Sequence, residues 1–300
     1  MRILVVGASG LVGWHVVRKL GEAGHEVTAL ARTARPGIDH AMDVTEASVD
    51  DFRTVLAGHD GVVFAAGIDD RHVPAKPAYS VFRRGNVDPV EHLFTAAAAE
   101  GVTRGVVLGS YFAYFNRQNP EWRLTDTHPY IRSRVEQAAA ARAHGIPITV
   151  LELPFVFGRA GDRLTNWAPA LGGWVRSRSP LFAPPGGTAA TTAHTVAEKT
   201  VEALEHPSNK DIPVCDENLT WHDMIARIAA ATTRTRRVHT LPRSVMNVAL
   251  RATGTVHSLQ GKESGLDTRH MADLFTRELF LPGGTPGAIE ETLRETFSGE

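Results

Sequence analysis

The chain has 300 residues, 43% of them apolar and 22% charged, and a formal net charge of −1. That length buries a sizeable core, and so small a net charge gives no field that would draw in nucleic acid or a membrane surface. A single cysteine, Cys215, excludes an internal disulfide, and with no run near the roughly 20 apolar residues of a membrane span the expected setting is the cytoplasm.

In chain order, short apolar runs alternate with helical patterns. The run "ILVVG" (3–7) reads as a strand, and "LVGWHVVRKLGEAG" (11–24) as a helix. The glycines and the polar helical pattern that follows argue against a leader peptide. Next come "EVTALA" (26–31), a short third strand before Asp43, and the helical "EASVDDFRTVLAG" (46–58). Strands "GVVFAAG" (61–67), "GVVLGS" (105–110) and "ITVLELP" (148–154) flank helices "VDPVEHLFTAAAAEG" (87–101) and "RSRVEQAAAARAHG" (132–145). Strands this continuously apolar are covered on both faces, and glycine is the usual helix stop. The alternation predicts an α/β fold, a doubly wound parallel sheet of Rossmann type over residues 1–157. Residues 158–300 read as a smaller, mostly helical region on the substrate side. A helix over 193–206 is expected to return to the sheet, and a short strand is expected at 211–216. Helical patterns follow at 220–233, 241–254, 267–279 and 286–297.

The first strand runs into "GASGLVG", with Gly7, Gly10 and Gly13 at three-residue intervals around Ser9, Leu11 and Val12. Glycine lets the backbone turn tightly and approach a pyrophosphate, whose charge then sits on a helix N-terminus. The spacing is not the usual G-x-G-x-x-G. Position, rather than motif, marks this loop as a dinucleotide cradle. At the end of the second strand an acid would favour NAD, and an arginine NADP. Here stand Arg32 and Arg35, whose planar forks suit a 2′-phosphate. NADP is therefore the expected cofactor, with NAD the alternative. Asp43 is a candidate for the adenine amino group and equally for a helix cap. Ala65, Ala66 and Gly67 end the next strand, where the backbone must pass close to a bound dinucleotide.

Taken in order, "GASGLVG", "FAAG", "GSYFAYF" and "YIRSR" resemble an extended short-chain dehydrogenase/reductase, the group that includes the NAD-dependent epimerase/dehydratase family. "LELPFVFGR" (151–159) is similar to the segment after the family's sixth strand, and the resemblance implies cofactor contacts at Pro154 and Val156. "LDTRHMADLFTRELFLP" resembles its C-terminal lid. The family's catalytic set is Ser, Tyr and Lys, the last two as Y-x-x-x-K. Ser110 and Tyr130 match by position, while Arg134 stands where the lysine belongs.

Four apart on a helix, Tyr130 and Arg134 share a face, and Pro129 suits a first turn. A nearby cation and the nicotinamide's own charge would lower a phenol that titrates near ~10 when free. Tyrosine would then pass a proton to or from the reacting oxygen, which Ser110 would also bond. Arginine keeps the charge and would donate to a ribose hydroxyl, but it releases no proton, so a relay through this position is lost. Asn86 resembles a family asparagine facing the active site. Tyr111, Tyr114, Phe155 and Trp167 are candidate pocket residues.

Fourteen histidines are scattered without a ligand spacing, so no metal is expected. His194 reads as a capping or packing residue. "TRTRR" (233–237) reads as a solvated helix end, with a phosphorylated substrate as the alternative. The expectation is an NADP-dependent oxidoreductase moving hydride between cofactor and a small, partly apolar carbonyl or alcohol. The alternatives are a sugar epimerase/dehydratase with bound NAD, using Arg159, Arg176 or Arg178 on a diphosphate, and a redox-inactive NADP-binding protein. A small-molecule partner is expected, and the resemblance is compatible with a homodimer.

Overall fold

A computed structural model describes residues 1–161, 163–232 and 235–297. Its centre is a seven-stranded parallel sheet of Rossmann type. The named elements are β1 (Arg2–Val6), α1 (Leu11–Glu22), β2 (Glu26–Ala31), β3 (His40–Ala41), α2 (Val49–Leu56) and β4 (Gly61–Phe64). They continue with α3 (Ala78–Asn86), α4 (Asp88–Ala99), β5 (Arg104–Ser110), α5 (Tyr111–Gln118), the single turn α6 (Leu124–Thr127), α7 (Pro129–Arg142) and β6 (Ile148–Leu153). Across the sheet the order is Asp211–Pro213, β6, β5, β4, β1, β2, β3. The strand Asp211–Pro213 is thus an edge of the same sheet, paired with β6.

Side chains alternate across the strands, and both faces are covered. Leu4, Val6, Val62 and Phe64 pack under Phe52, Leu93 and Phe94 of α2 and α4. Ile3, Val5 and Val63 meet Val16 and Leu20 of α1 and, on the helix Ala193–Glu205, Val196 and Leu204. Two covered faces explain the unbroken apolar runs. Chain order reverses beside β1, which lies between β2 and β4. That switch point opens a crevice beyond the strand ends, where such sheets bind ligands.

Caps set the helix starts. Ser48 accepts from the Asp51 amide while the Asp51 carboxylate accepts from the Ser48 amide, a reciprocal capping box that opens α2 at Val49 rather than at Glu46. Thr192 caps the helix Ala193–Glu205 by accepting from Thr195 N at 3.0 Å. The predicted capping or packing role of His194 is therefore corrected: it is exposed and pairs with Glu198 at 3.2 Å.

Beyond β6 a second core forms. The strand Phe155–Phe157 pairs with Gly187–Thr192, which also pairs with Glu217–Thr220 and Glu278–Leu279. Phe157, Trp167, Trp221, Ile228 and Phe297 fill the space beneath the helices Ala168–Arg176, Trp221–Thr232 and Glu290–Phe297. In the basic run 233–237, Thr233 and Arg234 lie outside the described residues. Arg236 is not a solvated end: its guanidinium donates to the carbonyls of Val175, Ser177 and Ser179 and so ties the end of the helix Ala168–Arg176 to the segment after the helix Trp221–Thr232. Among the described residues no helix is long and apolar enough to cross a membrane.

Candidate active site

The glycine loop is shaped by what a side chain would hit. Gly7 adopts φ +90°, and a Cβ there would lie 2.7 Å from the Ala65 carbonyl. A Cβ on Gly13 would run into the Gly7 carbonyl oxygen, so only glycine lets α1 sit this close to the turn. Gly7 N and Ala8 N both donate to Leu30 O, at 2.9 and 3.0 Å, locking the loop to β2. Gly10 caps α1 without a side-chain bond, which leaves first-turn amides for an anion. Arg163 crosses from the substrate side and donates to the Ser9 carbonyl.

At the outer end of this crevice Arg32 and Arg35 are exposed. Asp43 is exposed too, and its Oδ1 accepts from Thr45 N at 3.0 Å and Thr45 Oγ1 at 2.8 Å. Those bonds, with the charge of Arg32 adding to them, hold its carboxyl below the usual range. It forms a local turn and does not cap α2, a role taken by Ser48.

A cavity of about 380 Å³ lies at the C-terminal ends of β4, β5 and β6. It brings together Gly10, Leu11 and Val12, then Ala65, Ala66 and Gly67, then Ser110, Tyr111, Tyr130 and Arg134, and finally Pro154, Phe155, Val156 and Trp167. Gly7, Ser9 and Gly13 shape the loop from behind. Arg32, Arg35 and Asp43 do not line the cavity, and two more predicted residues fall elsewhere. Tyr114, expected to line the pocket, does not line it: half-buried, it packs edge-on against Phe115 at 5.3 Å, beside the core cluster of Tyr111, Phe112 and Leu124. Asn86, expected to face the active site, is fully buried behind the wall. Its Oδ1 accepts from Ile68 N at 2.8 Å, and its Nδ2 donates to Ile68 O and Ser133 Oγ at 3.2 and 3.1 Å.

The chemistry-bearing pair sits on the first turns of α7. His128 precedes the helix, and Tyr130 N donates to Gly265 O at 2.9 Å, so a C-terminal segment pins the tyrosine's end. The Arg134 guanidinium carbon lies 5.9 Å from the Tyr130 ring centre. Its Nη2 donates to Leu108 O at 2.7 Å, while its buried Nε has no partner among the described residues. Ser110 ends β5 and caps α5, but its bond to Phe112 N is long, 3.5 Å, so the hydroxyl remains available to Tyr130. Burial pushes the Tyr130 phenol up, against the charge of Arg134 and the bond with Ser110, which pull it down. The expected lowering is corrected on this point: in the protein alone desolvation outweighs the arginine, and the phenol is held protonated.

Several cavity residues carried no clear signal in the sequence. Asp69, Asp70 and Arg71 follow Gly67 in the loop after β4, and Asn166, Trp221 and Phe275 arrive from the second core. The "DDR" one residue beyond "FAAG" was the one available hint, charges placed where a strand end opens on the crevice. No cluster of metal-ligating side chains occurs among the described residues. Burial raises the Cys215 thiol to about 11, which makes it a poor nucleophile.

Comparison with known proteins bears on this geometry. A family described as NAD(P)H-binding matches residues 7–207. The 3-beta-hydroxysteroid dehydrogenase of Mycolicibacterium neoaurum is 33% identical over 118 residues, 36% of this chain and 32% of that protein, so the match spans about a third of the curated relative. Among solved structures, the human epimerase family protein SDR39U1 with NADPH superposes with a TM-score of 0.73 at 17% identity over 100% of both chains. A UDP-N-acetylglucosamine 4-epimerase from Bacillus cereus gives 0.67 at 15% identity over 99% of each chain. At such identities the likeness is one of fold. The family match runs from Gly7 of the loop through the helix packed on α1 and takes in Ser110, Tyr130 and Arg134; on that span, more than half its length, the chain belongs to the NAD(P)H-binding family.

Proposed function

We propose that the protein is an oxidoreductase that moves hydride between NADPH and a small carbonyl compound. The observation that carries this reading is the buried, protonated Tyr130 beside Ser110 and Arg134 in one cavity with the glycine loop. A dinucleotide fits the residues present: the Gly7–Gly13 cradle admits no side chain, and the unpartnered Nε of Arg134 is a donor left over for a ribose hydroxyl. The cradle, Ala65–Gly67, Pro154 and Val156 would hold it, with Arg32 and Arg35 on the 2′-phosphate. NADPH, when bound, supplies the hydride.

Tyr130 donates its proton to the carbonyl oxygen, a step that a phenol kept protonated by burial is suited to begin. Ser110 donates to the same oxygen and polarises the bond. Arg134 steadies the phenolate left behind, and the proton returns from solvent or a neighbouring acid, since arginine gives none up. Phe155 and Trp167 offer an apolar wall to the substrate's body. NADPH in the similar human structure supports the choice of cofactor. A nucleotide-sugar substrate is less well supported: Arg159, Arg176 and Arg178 do not line the cavity, and Arg159 donates to the Glu295 carbonyl.

A redox-inactive binder is the second reading, favoured by the tie between Arg134 and Leu108 O. NADPH oxidation against a panel of aldehydes and ketones, with NADPH affinity measured alongside, separates the two. Turnover supports the reductase. Tight binding with no turnover on any carbonyl selects the binder, and no binding of either nicotinamide cofactor overturns both.

A further inference from the structure

We infer that Asp70 selects the substrate, its carboxyl hydrogen-bonding a hydroxyl group that the carbonyl compound carries next to its reacting carbon. The inference rests on the reductase reading of the same cavity. Asp70 stands in the loop after β4 and lines the cavity together with Ser110, Tyr111, Tyr130 and Arg134.

The loop is clamped on either side of it. Asn86 grips Ile68 through both its amide and its carbonyl, and Gln137 Nε2 in turn holds Asn86 O at 2.8 Å. Asp69 Oδ2 accepts from Arg71 Nη2 at 2.7 Å and from Asn166 Nδ2 at 3.0 Å. Asp70 is different. Among the described residues its carboxyl makes no ion pair and no hydrogen bond to another residue; its own backbone amide bonds it, and the charges of Arg71, Asp69 and Arg134 reach it.

Most other polar groups of the cavity already have partners, the exceptions being Thr165 Oγ1 and the Arg134 Nε assigned above to a ribose hydroxyl. The Tyr111 hydroxyl pairs with Thr188 Oγ1 at 3.0 Å, deep in the wall. Arg71 is held by Asp69, and Arg134 by Leu108 O. Ser110 and Tyr130 serve the reacting oxygen. That leaves the Asp70 carboxyl as the one acid of the cavity with no partner on another residue, in a cavity otherwise walled by Phe155, Trp167, Trp221 and Phe275. Half-buried in the open cavity, it costs free energy once a substrate covers it unless a group on that substrate pairs with it.

The partner's chemistry follows from the surroundings. Burial pushes the carboxyl of Asp70 up, towards a form that both donates and accepts, as a hydroxyl does. An ammonium would require the ionised form and would add a third cation beside Arg71 and Arg134. An anionic group would meet the carboxyl itself. A neutral hydroxyl satisfies the site without either penalty.

Three ketones of one skeleton test this: acetophenone, 2-hydroxyacetophenone and the ammonium form of 2-aminoacetophenone. Binding to the native protein saturated with NADP⁺ is read by calorimetry, and reduction by NADPH is followed separately. The expected result is a dissociation constant for the hydroxyketone about tenfold below that of acetophenone, a difference of one good hydrogen bond. Asp70→Leu should bring the pair within about twofold, while Asp70→Asn, which still donates and accepts, keeps part of the gap. NADPH affinity unchanged in both variants reports a folded site. Equal binding of the pair, binding of none, a preference for the ammonium ketone, or a gap that survives Asp70→Leu overturns the inference. A native gap that vanishes in Asp70→Leu, with no NADPH-driven reduction of any ketone, upholds the role of Asp70 in binding and sinks the reductase reading alone.

Discussion

The two walls of the cavity are built from different materials. On the nucleotide side the wall is mostly backbone: the Gly7–Gly13 turn, which the Leu30 carbonyl ties to β2, and the Ala65–Gly67 segment beyond β4. On the substrate side it is mostly side chains, drawn from Asp70, Trp167, Trp221 and Phe275, which lie far apart in the chain. A backbone wall tolerates almost no added atom but asks little of residue identity elsewhere. A side-chain wall can be re-cut one residue at a time. Cofactor use should therefore be brittle and substrate choice adjustable.

The largest expected effect breaks the backbone wall. Gly13→Val drives a side chain into the Gly7 carbonyl, and overpacking at the top of the usual range, about 3 kcal/mol, corresponds to ~100-fold weaker NADPH binding. Calorimetric titration checks it, and an affinity within a few-fold of native would show that the loop can shift.

A comparable loss should appear on the other side with acid. His128 is 2% exposed, and its Nδ1 accepts from Asp267 N at 2.9 Å, docking the C-terminal segment beside Tyr130. Burial lowers its pKa to about 4, with Asp267, His270 and Asp273 acting on it more weakly. A folded-state value below the unfolded one means stability complete above the unfolded value of about 6.5 and lost as pH falls towards 4. The amount at stake is on the order of 3 kcal/mol. Urea unfolding at pH 7 and pH 5 should show this slope in the native protein and a flatter one in His128→Asn.

Smaller effects sharpen the contrast. Replacing Arg32 and Arg35 together by alanine should cut the preference for NADPH over NADH by about tenfold, the worth of a charge-assisted bond at an exposed site; parallel titrations with both cofactors decide it. Gly173, in the helix Ala168–Arg176, has open space where its Cβ would be. There, in contrast to Gly13, alanine should stabilise by roughly 0.5–1 kcal/mol, read as a raised urea midpoint.

The same contrast explains what the sequence disclosed. β2 was legible at its true bounds, Glu26–Ala31, because a mostly apolar run follows Glu26 and its last three residues, Ala29–Ala31, are buried. The loop glycines were legible because a tight backbone turn excludes other residues. The helical pattern 241–254 was expected to stop at Gly254, yet the helix Arg243–Leu259 runs through it. That glycine gives room instead, since a Cβ there would meet the Thr268 hydroxyl. α5 went unseen as a helix because its aromatics looked like pocket lining. Tyr111 and Phe112 are that in part, while Phe115 packs with Leu124 and Leu266 in a core cluster. Asp70 was invisible as a site residue because an acid in a loop looks like any solvated charge until the fold closes a cavity around it.

Tyr130→Phe is the most direct test of the account. With a carbonyl compound that the native protein reduces, turnover should fall by roughly 100-fold or more, the usual contribution of a positioned general acid. NADPH affinity should stay within a few-fold, because the phenolic oxygen does not build the nucleotide wall. Turnover that survives the loss of that oxygen would contradict the assignment and remove Tyr130 from the chemistry.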